Sequence, residues 1–455
     1  MADQTNDASP HAEIIQGNEE IKRVTHQQEP TLAALPIQTE LPIADFNSEK
    51  KSTPLPSESA YKRHSQKGGK RKFNSGNQAN KPKTDEISPG KMLEFRIKRL
   101  IFNLGYYPRM DIDMKTSPDD SADKITDLDV YGVYIHKDFT TKTIWADCKS
   151  GDVKIHDRLS WIKGIMSTIQ INDVLLVANN IRTSVKQHAR KSGIQILDMR
   201  VLEKLENDFN IRNDDWRGSW NPKTQHNKIV SLAKLAIPTN EPYKKIAGFI
   251  SSDYWVMDNY SKAKKSITAL RDLATVATLP LSGDQLQTVK WAIFELISLV
   301  LLAVLNISKE LYYFNEAEKK ETVYDGLASG DVPNKKRAEI FDAAFRVAYS
   351  MVQNQIPEFQ APLKMPTFNL APPGYSESFF DLVLRITNKP NYYFDILRFI
   401  DYILMEHDLT DKVLVASELK AMFSNYDDLV IGAKTVLHTI CQITHLPRDM
   451  FSLIK

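Results

Sequence analysis

Residues 127–149 decide the fold, and they read DLDVYGVYIHKDFTTKTIWADCK. Two runs rich in β-branched and aromatic residues, 130–135 and 140–146, flank residues 136–138, a pattern typical of a β-hairpin. If the turn is centred on Asp138, residues whose numbers sum to 276 lie opposite each other, so Asp129 is predicted to face Asp147. Side chains alternate along a strand, so Lys149 shares the face of Asp147 and Cys148 points to the other.

The segment Asp147-Cys148-Lys149 fits the pattern of an acidic residue, any residue and a lysine. Chance alone supplies about seven acidic-x-basic triplets in a chain of this composition, so the pattern by itself is weak. Asp113/Lys115 and Asp152/Lys154 are other examples. Only the first triplet has a carboxylate predicted to face it from a neighbouring strand.

Two facing carboxylates indicate a metal site. Opposed Cβ atoms in an antiparallel pair lie ~4.5 to 5.5 Å apart, close enough for Asp129 and Asp147 to hold one divalent cation. Oxygen ligands suit Mg²⁺ or Mn²⁺, and a nearby ammonium such as that of Lys149 helps to neutralise a phosphate. The pattern therefore predicts phosphodiester hydrolysis. Glu94 is either a further acid of this site or a surface residue paired with Lys98.

The neighbouring segments predict an α/β arrangement. Ser88-Pro89 is a helix N-cap followed by proline, and apolar residues recur at helical spacing from 93 to 104. Gly105 and Pro108 end that helix, and a loop is predicted from 111 to 124. A helix near 161–171, a strand at 174–178, a helix at 182–192 and a strand at 194–197 follow the hairpin.

Residues 88–205 resemble the PD-(D/E)xK nuclease superfamily, in particular Mrr-type restriction endonucleases and Holliday-junction-resolvase-like domains. The resemblance rests on Glu94, on the segment 125–130 that enters one strand, and on the segment 145–151 that ends the next. It implies a restriction-endonuclease-like α/β core with a mixed central sheet flanked by helices. The site residues it implies are Asp129 and Asp147 as metal ligands, the Cys148 carbonyl as a further ligand, and Lys149 as the catalytic lysine. No proline precedes Asp129, and Asp127 competes for the same role.

The remaining sequence divides into three segments. Residues 1–88 lack sustained apolar periods and are predicted to be a disordered tail, with a basic cluster at 62–72 that is either a solvated linker or a phosphate contact. Residues 206–225 are predicted to be a linker. Residues 226–455 carry 3.6-residue apolar periods and are predicted to be an all-α domain that recruits partners, forms oligomers or selects substrate.

Composition limits the class of protein. With 59 basic and 57 acidic residues the net charge is +2, so a nucleic-acid partner has to be argued locally. Two cysteines and an acidic start predict a cytoplasmic protein. The apolar segment 291–307 is interrupted by Glu295 and leaves about 13 uncharged positions where a membrane span needs ~20, so a buried helix is expected.

The sequence supports two functional hypotheses. The first is a Mg²⁺- or Mn²⁺-dependent nuclease acting on nucleic acid, with DNA favoured over RNA. The second is a non-catalytic nuclease-like module that binds nucleic acid or protein. Arg182, Lys186 and Arg190 recur at i, i+4 and i+8, which is consistent with either a phosphate-binding stripe or a solvated helix face.

Overall fold

A computed structural model describes residues 87–118, 122–151, 154–169, 171–330, 334–356, 358–359 and 371–455. Residues 1–86 of the predicted tail, with the basic cluster at 62–72, lie outside the described residues. All described residues belong to one compact unit.

The described residues form five strands and sixteen α-helices. The strands are β1 (Tyr107–Lys115), β2 (Lys124–Ile135), β3 (Thr141–Cys148), β4 (Asp173–Val177) and β5 (Ile194–Leu197). The helices are α1 (Pro89–Asn103), α2 (Ile155–Ile169), α3 (Thr183–Arg190), α4 (Met199–Asp208), α5 (Pro222–Gln225), α6 (Lys228–Lys234), α7 (Glu241–Gly248), α8 (Tyr254–Val256), α9 (Asn259–Ala277), α10 (Gly283–Leu311), α11 (Glu316–Ser329), α12 (Asn334–Gln355), α13 (Ser376–Asn388), α14 (Ile396–Ile403), α15 (Ala416–Met422) and α16 (Tyr426–Thr444).

The sheet is mixed, and its strands lie in chain order. β1 and β2, like β2 and β3, are antiparallel, whereas β3, β4 and β5 are parallel. The predicted α/β arrangement with a mixed sheet, followed by a helical region, is therefore present. The helix predicted after Ser88 is also present, and the Ser88 hydroxyl accepts a hydrogen bond from the Lys91 amide at 3.3 Å.

The loop predicted from 111 to 124 is wrong in its first part. Residues up to Lys115 belong to β1, which pairs with β2 through Ile112 opposite Leu128 and Asp113 opposite Asp127. The acidic residues and Pro108 read as loop signals, yet β1 is an edge strand, where charges and proline are tolerated. Pairing with β2 therefore overrides the local signal.

Helix α10 contains the predicted apolar segment 291–307. It is long and apolar enough to cross a membrane by length and composition, and 94% of its most apolar window is buried inside the structure. Glu295 lies buried within it and forms an ion pair with Arg109 of β1. The expectation that segment 291–307 forms a buried helix agrees with this packing.

One hydrophobic core extends from the sheet into the helical region. Phe102 of α1, Val133 of β2 and Phe139 of the hairpin turn belong to the same buried cluster as the residues of α9, α10, α13 and α14. The ring centroids of Phe102 and Trp220 lie 4.3 Å apart. Arg398 of α14 donates a hydrogen bond to the Phe102 carbonyl at 2.8 Å. The two parts differ in secondary structure but share this core.

Candidate active site

The hairpin register brings the two predicted acids together. Val130 pairs with Ala146 and Tyr131 with Trp145, so paired residue numbers sum to 276 as the sequence predicts. Continuing that register places Asp129 opposite Asp147 at the end of the two strands.

The ammonium of Lys149 lies among three oxygen atoms. Its Nζ is 2.8 Å from Asp147 Oδ1, 3.2 Å from Asp129 Oδ2 and 3.2 Å from the carbonyl oxygen of Cys148. The Asp129 carboxylate also accepts a hydrogen bond from the Cys148 amide at 2.7 Å, which fixes one of its oxygens. The structure therefore gathers Asp129, Asp147, Lys149 and the Cys148 backbone at one point.

A second cation reaches the site from α2. Arg158 donates from Nε to Asp147 Oδ2 at 2.7 Å and from Nη2 to Asp147 Oδ1 at 2.5 Å, and its guanidinium lies 3.7 Å from the centroid of the Trp161 ring. Asp147 itself is 1% exposed. A buried carboxylate is costly unless it is paired, and these hydrogen bonds compensate for the burial.

Glu94 of α1 belongs to the surroundings of the same site. Its carboxylate accepts a hydrogen bond from Lys91 at 2.8 Å, and Lys91 also donates to Asp111 at 2.5 Å. Burial raises the pKa of Glu94 to about 7 against the opposing effect of Lys91, and the charge of Asp129 raises it further. The alternative pairing of Glu94 with Lys98 is wrong, because Lys98 is buried and donates to the Ser219 carbonyl.

The two uncertain positions next to the acids differ in exposure. Asp127, the competitor of Asp129, is exposed and lies opposite Asp113 of β1 in the strand register. The Asp113/Lys115 triplet therefore also has a facing carboxylate, and the prediction that only the Asp147 triplet has one is wrong. The Cys148 side chain packs in a core cluster with Leu93 and Ile97 of α1, and burial raises the pKa of its thiol well above the ordinary value. Cys148 can therefore contribute its carbonyl oxygen to the site, but its thiol is a core group.

The basic stripe of α3 is partly paired. Arg182 and Arg190 are exposed, whereas the ammonium of Lys186 forms an ion pair with Asp198, the N-cap of α4. Asp198 thereby neutralises the middle cation of the predicted stripe. Two exposed arginines remain for contact with an anionic partner.

The oxygen atoms around Lys149 meet some, but not all, of the requirements of a site for a hard divalent cation. Among the described residues, no three Asp, Glu, His or Cys side chains converge closely enough to hold a metal ion. Two carboxylates and one carbonyl oxygen do surround the Lys149 ammonium, and oxygen ligands of this kind suit Mg²⁺ or Mn²⁺. A metal ion at this point requires Lys149 to turn outward, and the Lys149 side chain is 30% exposed.

The sequence alone did not reveal Arg158 or Lys91 as members of this site. Arg158 lies eleven residues after Asp147 along the chain. The one local signal is its position three residues before Trp161, which places both side chains on the same face of the helix and indicates a part-buried guanidinium. Lys91 contacts Glu94 from the preceding turn of α1, a local i,i+3 pair that the sequence could have indicated, and its contact with Asp111 of β1 is tertiary.

A scan against protein-family models and searches of the curated proteins and of the solved structures found no match to this chain.

Proposed function

We propose that the chain is a divalent-metal-dependent nuclease that hydrolyses phosphodiester bonds, with DNA as the substrate. One observation carries the proposal: the Lys149 ammonium lies within 3.2 Å of oxygens from Asp129, Asp147 and Cys148. These oxygens already hold a cation, and they come from a strand end where the sequence resembles a nuclease motif.

Each residue has a role that follows from its position. Asp129, Asp147 and the Cys148 carbonyl would hold Mg²⁺ or Mn²⁺. A divalent ion supplies Lewis-acid polarisation of a phosphate oxygen and lowers the pKa of bound water. Lys149, turned out of the oxygen cluster, pairs with the phosphate and offsets its charge. Glu94, with a pKa of about 7, accepts a proton from water near neutral pH.

Cleavage by the purified full chain tests the proposal. DNA is incubated with Mn²⁺ or Mg²⁺ and with wild type, Asp147→Ala or Lys149→Ala. We expect each substitution to reduce the rate about 100-fold or more, because each removes a group that acts in the transition state. Thermal unfolding of every variant separates lost chemistry from lost folding.

The matched control is the second Asp-x-Lys triplet of the sheet. Asp113→Ala and Lys115→Ala remove an acid and a lysine at the same spacing from β1, where they pair with Lys124 and Asp253. They should leave cleavage unchanged. Equal cleavage by wild type, Asp147→Ala and Lys149→Ala would remove these residues from the proposed active site.

The bidentate pair of Arg158 with Asp147 favours a second candidate, a nuclease-like module that binds without catalysis. In that case the two cations permanently satisfy the carboxylates, and no divalent ion is needed. Calorimetry with Mn²⁺ distinguishes the two functions. Uptake of Mn²⁺ that Asp129→Ala abolishes supports the nuclease, and an absence of uptake supports the binding module.

A further inference from the structure

A cavity of about 490 Å³ lies beside the candidate active site. One wall comes from α1 and β1, and the other comes from the α5–α6 region and α10. Sites for small ligands span roughly 300 to 1,000 Å³, so this cavity has the size of a small-molecule site. Lys91 lines it and also donates to Glu94, so the cavity adjoins the site described above.

Basic side chains outnumber acidic ones along the cavity. The basic residues are Lys91, Lys98, Arg109 and Lys228, and the acidic residues are Asp111 and Glu295. Asp111 is paired with Lys91, and Glu295 with Arg109. Neither acid is left for the other two lysines.

Among the described residues, two of these basic side chains form no hydrogen bond or ion pair with a carboxylate. Lys98 is buried and donates only to the Ser219 carbonyl at 2.7 Å, and Lys228 forms no hydrogen bond or ion pair with any described residue. Arg109 is 7% exposed, and its Nε has no hydrogen-bond partner among the described residues. Burial lowers the pKa of Lys98 to about 7 against the opposing charge of Asp401, and burial also lowers the pKa of Lys228 against the opposing charge of Asp284.

The same cavity has an aromatic and aliphatic wall. Phe95, Ile250 and Trp291 line it, and each is almost fully buried in the rest of the protein. The Trp291 indole is held in place by a hydrogen bond of 2.6 Å to Gln225. A fixed aromatic surface next to an excess of basic side chains, with the Arg109 Nε left without a hydrogen-bond partner among the described residues, suits a ligand with a flat ring at one end and a dianion at the other.

We propose that this cavity binds a nucleoside phosphate, with the phosphate against Lys98, Arg109 and Lys228 and the base against Phe95 and Trp291. Inorganic phosphate alone would leave the aromatic wall uncovered, and a nucleoside alone would leave the cations unpaired. The nucleoside phosphate can be a free mononucleotide or the terminal nucleotide of a nucleic-acid strand.

Calorimetry on the full chain in EDTA tests the proposal independently of the nuclease, because no metal is needed for this site. The probes are the four nucleoside 5′-monophosphates, adenosine, inorganic phosphate and a 5′-phosphorylated single-stranded oligonucleotide. We expect at least one nucleotide probe to bind with a Kd below about 1 mM, and adenosine and phosphate to bind at least about tenfold more weakly. Binding of the monophosphates identifies the free nucleotide as ligand, and binding of the oligonucleotide alone identifies a strand end.

Lys228→Ala is the informative variant, since the Lys228 ammonium forms no hydrogen bond or ion pair with a described residue that the substitution would break. We expect it to weaken nucleotide binding at least tenfold. Lys223→Ala, which removes an exposed lysine of α5 outside the cavity, should leave binding unchanged. The proposal is overturned if no nucleotide probe binds at concentrations of several times 1 mM. It is also overturned if Lys228→Ala and Lys223→Ala bind nucleotide with the same Kd. If the wild-type chain binds a nucleotide but does not cleave DNA, the result counts against the proposed nuclease function and not against the nucleotide site.

Discussion

Arg158 holds both carboxylate oxygens of Asp147 in a bidentate pair, with N–O distances of 2.7 and 2.5 Å. The same Asp147 oxygen that accepts from Arg158 Nη2 also lies 2.8 Å from the Lys149 ammonium. Two protein cations therefore occupy the carboxylate that the proposed metal ion requires. Any divalent ion has to compete with both of them.

Replacing Arg158 with glutamine should destabilise the metal-free protein by about 1–3 kcal/mol, because hydrogen bonds to a buried charge are lost. Added Mn²⁺ should restore part of that stability, since a ligand that binds only the folded state stabilises it. Urea denaturation in EDTA and in Mn²⁺ measures both effects. Lys163→Gln, which removes an exposed cation from the same helix, is the control and should change neither. If Mn²⁺ restores none of the unfolding free energy that Arg158→Gln loses, the result argues against a metal ion at Asp147.

Glu94 should make the stability of the protein depend on pH. Its pKa is raised to about 7 by burial, whereas an unfolded glutamate has a value of 4.5. Its contribution to stability is therefore largest below pH 4.5 and is lost as the pH rises to about 7. Glu94→Gln should become more stable relative to wild type over this interval, as denaturation at a series of pH values would show. Glu203→Gln, at an exposed position of α4, should show the same dependence of stability on pH as wild type. Parallel curves for Glu94→Gln would contradict the assigned pKa.

Lys98 should give a pH dependence of the opposite sign. Burial lowers its pKa from 10.5 to about 7, so the unfolded chain binds the proton more tightly between these values. Stability due to Lys98 should therefore rise with pH from about 7 upward. Lys98→Met should remove this rise between pH 7 and 9 in denaturation experiments. The exposed Lys204→Met serves as the control and should retain it. An unchanged slope in Lys98→Met would mean that Lys98 stays charged in the folded protein.

Gly132 of β2 lies where α1 packs against the sheet. A Cβ atom there would lie 2.8 Å from Ile101 Cγ2 and 2.9 Å from Ile144 Cγ2. Gly132→Ala should therefore cost about 1–3 kcal/mol of unfolding free energy through overpacking. Gly164→Ala in α2 meets no atom within 4 Å and should stabilise the protein by about 0.5–1 kcal/mol, because alanine favours a helix interior. Thermal or urea unfolding of the two variants should show opposite signs, and a neutral Gly132→Ala would indicate that α1 can shift.

Sequence reasoning predicted the parts of the site that local geometry determines. A short turn centred on Asp138 determines which residues face each other, and strand alternation then places Asp129, Asp147 and Lys149 together. Reasoning of this kind needs no knowledge of distant segments. It also correctly began α1 at Ser88-Pro89, since a capping pattern is local.

Features that depend on distant contacts could not be read in this way. Residues 111–115 of β1 carry the signals of a loop, because their acidic residues are unfavourable in a strand until β2 supplies a partner. Glu94 was weighed against a pairing with Lys98, but Lys98 turns inward to the Ser219 carbonyl, 121 positions along the chain. The cavity between α1 and α10 likewise depends on helical segments packing against the sheet.

The core shared by the sheet and the helices has an evolutionary consequence. If the chain ended at residue 205, three apolar side chains would face water, because their neighbours lie in the helical region: Phe102, Val133 and Phe139. A fragment of that kind would expose large apolar side chains and aggregate rather than fold. Separation of the α/β part from the helical region would therefore remove part of its core, which favours inheritance of the two parts together.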